Sequence, residues 1–357
     1  YRPEICPMTA ALNSSSVCLF HARLDRRRQY HGVFNPLSYR LFPSALLESQ
    51  LPAAKKWIAV NRETFDQLVA EGHNRIPVYR SVLADLDTPL SVYINLADKP
   101  DTYLFESVEG GETWGRYSII GLPCKRRYEL RGQKLTIFED GEPVRAEVVE
   151  DPLDRISELQ KEFTAPRLDE LPVFTGGLVG YLGYEIVQRF EQRLIDRDKT
   201  DELDTPEMVM LLSDEVAVFD NLAGRLFLIV NADPGVPGAW ESAQLRLDAL
   251  SEQLRSGGPG YGTPVKHPAV YEEDFHYGFS REDFIDAVRQ SKEYILSGDI
   301  FQVVLSQRMS VPFKARSLDV YRALRALNPS PYMFYIDLGD TQIVGSSPEV
   351  LVRVQQR

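Results

Sequence analysis

The sequence is short of cysteine, histidine, long apolar runs and basic excess, and each shortage removes a class of function. Its 357 residues hold three cysteines, Cys6, Cys18 and Cys124. An odd and widely spaced set supports neither a disulfide framework nor a cysteine metal site, and it suits a reducing compartment. The five histidines (His21, His31, His73, His267, His276) fall in loop-like stretches without ligand spacing. No Ser-His-Asp order, His-Glu-x-x-His pair or phosphate-binding loop is present, and no internal repeat. No apolar stretch approaches the roughly 20 residues of a membrane-spanning helix, so no membrane partner is expected. Lys and Arg number 40 against 52 Asp and Glu, a net charge of −12. Nucleic acid, which recruits a basic face, is not an expected partner either.

What is present is ordinary for a globular protein: 43% hydrophobic and 26% charged residues, enough for one large domain or two medium ones. Residues 1–59 stand apart. They lack sustained periodicity and hold eight basic but only three acidic residues. They read as an extension outside the fold, disordered or translated from upstream of the natural start. The alternative, an Arg-rich targeting segment, is less convincing, and a cytoplasmic location is expected. The far end, "VRVQQR", follows a strand-like stretch with no closing helix, so a truncated chain is expected.

Order is expected from about residue 60. "NRETFDQLVAEG" places Phe65, Leu68 and Val69 on one helical face. "PLSVYINLA" and "DTYLFESVE" look like strands around the turn "DKPD". Short strands with Asp-Gly turns continue through residue 149, followed by an amphipathic helix in "DPLDRISELQKEF". "EMVMLLSDEVAVFDNLAGRLFLIVNAD" reads as two strands joined at "DNLAG", and "AWESAQLRLDALSEQLRS" as a strong helix. The Gly- and Pro-rich stretch 257–268 reads as a linker. Beyond it, Ser280 and Asp283 form a capping box for a helix that Gly298 ends. "IFQVVLSQRMSV" looks like a strand, "LDVYRALRAL" like a helix and "QIVGSSPEVLVRV" like strand–turn–strand. The fold class expected is α+β, with large, mostly antiparallel sheets and flanking helices. The domains expected are 60–256, a linker at 257–268, and 269–357.

Five stretches are candidates for chemistry. In "GDIFQVVLSQR" alternation would set Gln302 on a polar face of a strand, either wet or lining a cavity. In "GSSPEV" Glu349 follows Pro348 at a turn, as an acid/base group or a plain surface residue. "FTGGLVGYLGYE" is not a dinucleotide fingerprint, and tight strand packing is the preferred reading. "YLFESVE" places Glu106 and Ser107 at a strand end. "NPSPYMFY" sets two prolines, Pro329 and Pro331, before an apolar strand, which presents Tyr332 and Met333 in a stiff form suited to a pocket wall.

Taken together and in order, "LFES", "WGRYSIIG", "FTGGLVGYLGYE", "GDIFQVVLSQR", "NPSPYMFY" and "GSSPEVLVRV" resemble the large subunits (component I) of anthranilate synthases, within the chorismate-utilising superfamily. The resemblance runs from about residue 60 to residue 357. It implies conversion of chorismate and ammonia to anthranilate and pyruvate, with ammonia supplied by a glutaminase partner in a hetero-oligomer. It further implies Mg²⁺ as cofactor and feedback inhibition by L-tryptophan. The tryptophan-binding residues implied are Leu104, Glu106, Ser107, Asn328, Pro331, Tyr332 and Met333, with Phe105 where the family usually has Leu. Gln302 stands where related isochorismate-forming enzymes carry a water-activating Lys, and Glu349 is the implied general acid. The family's metal ligands lie beyond the "SPEVLVRV" stretch, so no metal ligand is expected within this chain, and the chain alone is expected to be inactive. The related aminodeoxychorismate synthases, and a non-catalytic tryptophan-binding module, are the alternatives.

Overall fold

The structure, a computed structural model, describes residues 12–13, 60–107, 115–189, 191–194, 202–257 and 269–353. Almost all of the expected extension 1–59, and residues 258–268 of the expected linker, lie outside the described residues.

The larger sheet has eight strands, each antiparallel to its neighbours. Their order is β1 (Leu12–Asn13), β15 (Thr341–Ser347), β14 (Tyr332–Asp337), β3 (Thr102–Glu106), β4 (Tyr117–Gly121), β10 (Glu215–Asp220), β11 (Arg225–Ala232) and β2 (Ile76–Leu83). The smaller sheet is also antiparallel, in the order β7 (Glu142–Val148), β6 (Lys134–Glu139), β5 (Arg126–Arg131), β9 (Met208–Ser213) and β8 (Gly177–Leu182). A two-stranded ribbon joins β12 (His276–Tyr277) to β13 (Met309–Ser310). The helices are α1 (Arg62–Ala70), α2 (Pro89–Leu96), α3 (Pro152–Lys161), α4 (Ala239–Ser256), α5 (Arg281–Ser297) and α6 (Ser317–Leu327). The expected α+β class with antiparallel sheets and flanking helices is what the chain adopts. No helix among the described residues is long and apolar enough to cross a membrane.

Alternation along the strands divides the apolar side chains between two faces of the large sheet. One face packs on α1, α2, α4 and α6, through Phe65, Tyr93, Leu247 and Tyr321 against Leu104, Ile120, Val216 and Met333. The other face carries Tyr103, Ile336 and Ile343, and meets Val179, Val209 and Leu211 of the smaller sheet. Two continuous segments pass from one sheet into the other, β4 into β5 and β9 into β10, and they pair with each other in both sheets. The expected single strand across 208–220 is therefore two. The break falls at Asp214, where Arg75 donates to its carboxylate at 3.1 Å and also contacts Asp233 at 2.9 Å. Burial raises the Asp214 carboxyl above the ordinary range, against the opposing pull of Arg75.

Two other expectations are corrected. Residues 89–96 are a helix and not a strand: Thr88 and Ser91 form a reciprocal capping box, and Pro89 occupies the first turn. Pro89, Val92, Tyr93 and Leu96 are the buried residues, a helical spacing. Residues 300–308 form no strand and find no ladder among the described residues, so Gln302 is exposed outside any sheet. The capped helix before them does form, with Ser280 accepting from the Asp283 amide and Gly298 closing it at φ +81°. None of its side chains is buried. Across the expected linker, β14 and β15 join the same sheet as β3 and β4, so segments on both sides of 257–268 share one core.

Candidate ligand cavity

A cavity of about 630 Å³ opens between the second face of the large sheet and β8, the edge strand of the small one. Its walls come from three parts of the chain that are distant in sequence. Phe105, Glu106 and Ser107 end β3; Tyr117 and Ile119 lie on β4. Gly180, Tyr181 and Leu182 belong to β8. Pro331 leads into Tyr332, Met333, Phe334 and Ile336 of β14, with Ile343 of β15 and Arg353 completing the lining. The volume lies within the range of small-molecule sites, and so does the character, mostly apolar and aromatic with a few polar groups.

The prolines explain the fourth wall. Asn328 caps α6, its amide bonded to the carbonyl of Leu324. Pro329 and Pro331 prevent continuation of the helix, and β14 begins at Tyr332 in register with β3: Met333 faces Glu106 and Phe334 faces Phe105. Ser346 donates to the carbonyl of Asn328 at 2.6 Å and secures the turn against β15.

The polar end has two features. The Ser107 hydroxyl is buried and finds no hydrogen-bond partner among the described residues. Such an atom is a rarity in folded proteins and leaves a polar group open to a guest. The adjacent Glu106 is fully partnered. Its side chain is 2% exposed and turns to α6, where Arg325 donates from Nη2 to Oε1 and from Nε to Oε2, each at 3.1 Å. The Tyr321 hydroxyl donates to Oε2 at 2.6 Å. Burial, reinforced by the Glu106 charge, drives the ionisation of Tyr321 far upward, so the phenol stays a donor. Burial does the same for Tyr181, whose hydroxyl donates to the carbonyl of Pro206 at 2.8 Å.

Of the residues that the resemblance implied for tryptophan, Glu106, Ser107, Pro331, Tyr332 and Met333 line this one cavity. Leu104 lies in the core on the helical side of the sheet, and Asn328 is exposed at the end of α6. Glu349 is exposed beyond β15, and it and Gln302 are absent from the cavity wall. Sequence reasoning missed the contribution of β8, because its glycines read as packing alone. Phe105 and Phe334 were accessible through period-two alternation along β3 and β14. Among the described residues no three His, Cys, Asp or Glu side chains are grouped so that they could hold a metal ion. The cavity holds no paired acid and base.

Residues 106–357 match the family described as chorismate binding enzyme. Anthranilate synthase component 1 of Pseudomonas putida is 48% identical over 297 residues, which are 83% of this chain and 60% of that protein. The component 1 of Aquifex aeolicus is 37% identical over 291 residues, 81% of this chain and 58% of the relative. The crystal structure of anthranilate synthase component I from Streptococcus pneumoniae TIGR4 superposes with a TM-score of 0.54 at 27% identity, covering 76% of this chain and 57% of that one. The chain thus spans about 60% of the length of the curated relatives it matches.

Proposed function

The chain belongs to the chorismate binding enzymes, and from that membership we propose that it is part of a large subunit of anthranilate synthase whose cavity takes L-tryptophan as feedback inhibitor. The reaction proposed for the whole protein is that of a lyase: chorismate and ammonia give anthranilate and pyruvate, with ammonia delivered by a glutaminase partner, in the cytoplasm. The 48% identity to relatives of that name supports the reaction. The observation that carries the inhibitor reading is the union of Ser107 with Pro331, Tyr332 and Met333 in one aromatic cavity. An indole suits the apolar walls, and an amino-acid head suits the unpartnered Ser107 hydroxyl. Chorismate, a dicarboxylate, suits this cavity poorly: among the described residues Arg353 is the single basic residue in its lining.

Gln302 and Glu349 remain the residues proposed for chemistry, a neutral amide in place of a water-activating base and a general acid. Both are exposed and neither lines the cavity, so binding and turnover are proposed to occupy different places. Magnesium is proposed for the whole protein, and no step here runs through it. The purified chain by itself is proposed to be inactive.

Calorimetric titration of L-tryptophan tests the inhibitor reading without interference from Trp57, Trp114 and Trp240. Saturable one-site binding supports it, and its absence from folded protein overturns it. Anthranilate formation from chorismate, ammonia and Mg²⁺ by the isolated chain would refute the proposed inactivity.

A further inference from the structure

Tyr321 and Arg325 do not line the cavity, yet they hold its two principal walls together. They stand one turn apart on α6 and grip both oxygens of Glu106. Glu106 lies between Phe105 and Ser107, which line the cavity, and it faces Met333 across the β3–β14 ladder. The same helix ends at Asn328, fastened by Ser346, and leads into Pro331 and Tyr332 of the neighbouring strand β14. A buried carboxylate with two charge-assisted bonds and one phenolic bond is a stiff joint, because loosening any contact leaves charge unpaired in a dry place. Among the described residues the Ser107 hydroxyl has no hydrogen-bond partner to hold its side chain. Its position follows from the residue before it.

We propose that Tyr321 and Arg325 are positioning residues of the ligand cavity: by fixing Glu106 they set Ser107 and Phe105 against the Pro331–Phe334 wall. This rests on the reading of the cavity as an effector site. It adds that α6 is the element through which the two walls move together, so a guest that shifts Ser107 pulls on Arg325.

Hydrogen exchange tests the joint without any ligand. In Arg325→Met, exchange in peptides covering 102–107 and 331–334 should accelerate at least tenfold, with no change across β10 and β11. Arg325→Lys, which keeps the charge, should restore most of the protection. Tyr321→Phe is a milder second variant should Arg325→Met fail to fold. Uniform acceleration throughout the chain, or none at 102–107, would overturn the proposal.

Titration of L-tryptophan then separates this inference from the reading beneath it. Arg325→Met should weaken binding at least tenfold, and the loss should largely vanish when Ser107 is already Ala, since Arg325 acts through Ser107. Equal losses in both backgrounds would overturn the positioning role while leaving the effector site intact. No binding by the wild-type chain would remove the effector reading, and the exchange result would then decide the joint on its own.

Discussion

Phe334 and Gly345 face each other across β14 and β15 so closely that a Cβ on Gly345 would lie 2.0 Å from the ring carbon Cζ. The ring occupies the space that any side chain at 345 would need. Tyr103 covers Gly121 in the same way, also at 2.0 Å. Phe334 lines the cavity, so its resting place over a glycine governs how much room a guest has. Gly345→Ala should force the ring toward the cavity, cost about 1–3 kcal/mol by overpacking, and weaken L-tryptophan binding at least tenfold. Adding Phe334→Leu should recover part of the stability. Urea denaturation and calorimetry read both effects, and unchanged binding in Gly345→Ala would contradict the geometry.

Ser107→Ala separates affinity from stability. The hydroxyl is buried without a partner among the described residues, so its removal should leave folding stability unchanged or raised by up to about 1 kcal/mol. Binding of L-tryptophan should fall roughly tenfold, the worth of about 1.4 kcal/mol in one hydrogen bond. A large loss of stability would show that Ser107 has a structural partner after all.

Tyr321→Phe removes one of three bonds to a buried carboxylate. Hydrogen bonds to charged groups contribute about 1.5–3 kcal/mol, and that loss is expected in urea denaturation with an unchanged slope. A loss below about 0.5 kcal/mol would mean that Arg325 alone satisfies Glu106.

Asp337 makes stability depend on pH. Burial raises its carboxyl above the ordinary value, against bonds from the Gly339 amide at 2.9 Å and Gln342 at 3.3 Å. The native chain therefore keeps this proton to higher pH than the unfolded chain. Its contribution is complete below the ordinary Asp value of about 4 and is lost as pH rises through the raised value. Asp337→Asn keeps an acceptor for the Gly339 and Gln342 donors, gives up the one for the Tyr335 hydroxyl, and cannot ionise. Its stability relative to wild type should improve as pH rises through that window and then level off. A flat difference across the series would show that burial costs this carboxylate nothing.

Much of the architecture was legible in the residues. Caps at Asn61, Asp151 and Ser280 mark real helix starts, and "DNLAG" is the turn between β10 and β11. The strand assigned to 89–96 failed because two periodicities coexist there. Leu90, Val92, Ile94 and Leu96 alternate like a strand, while Pro89, Val92, Tyr93 and Leu96 repeat like a helix. The Thr88–Ser91 capping box decided between them and was readable. The switch at Asp214 was not, because 208–220 looks the same whether one sheet or two receives it. The cavity was half legible. The proline turn and the Glu106–Ser107 strand end pointed to it through resemblance, whereas the part taken by Gly180–Leu182 depends on sheet packing that no local pattern encodes.

The pairing of Met333 with Glu106 has a consequence for the order of events during synthesis. The two partners are made far apart in time, and the ladder cannot close until β14 has left the ribosome. A nascent chain that stops at the end of α5 already carries β3, β4 and β8, with Ser107 and Tyr181 in place. It has three walls and no fourth. Edge strand β3 would wait with an open ladder, the kind of surface that invites wrong partners and chaperones. The cavity therefore closes only after α6 and β14 have been made, and a shorter nascent chain has no complete set of walls to offer a guest.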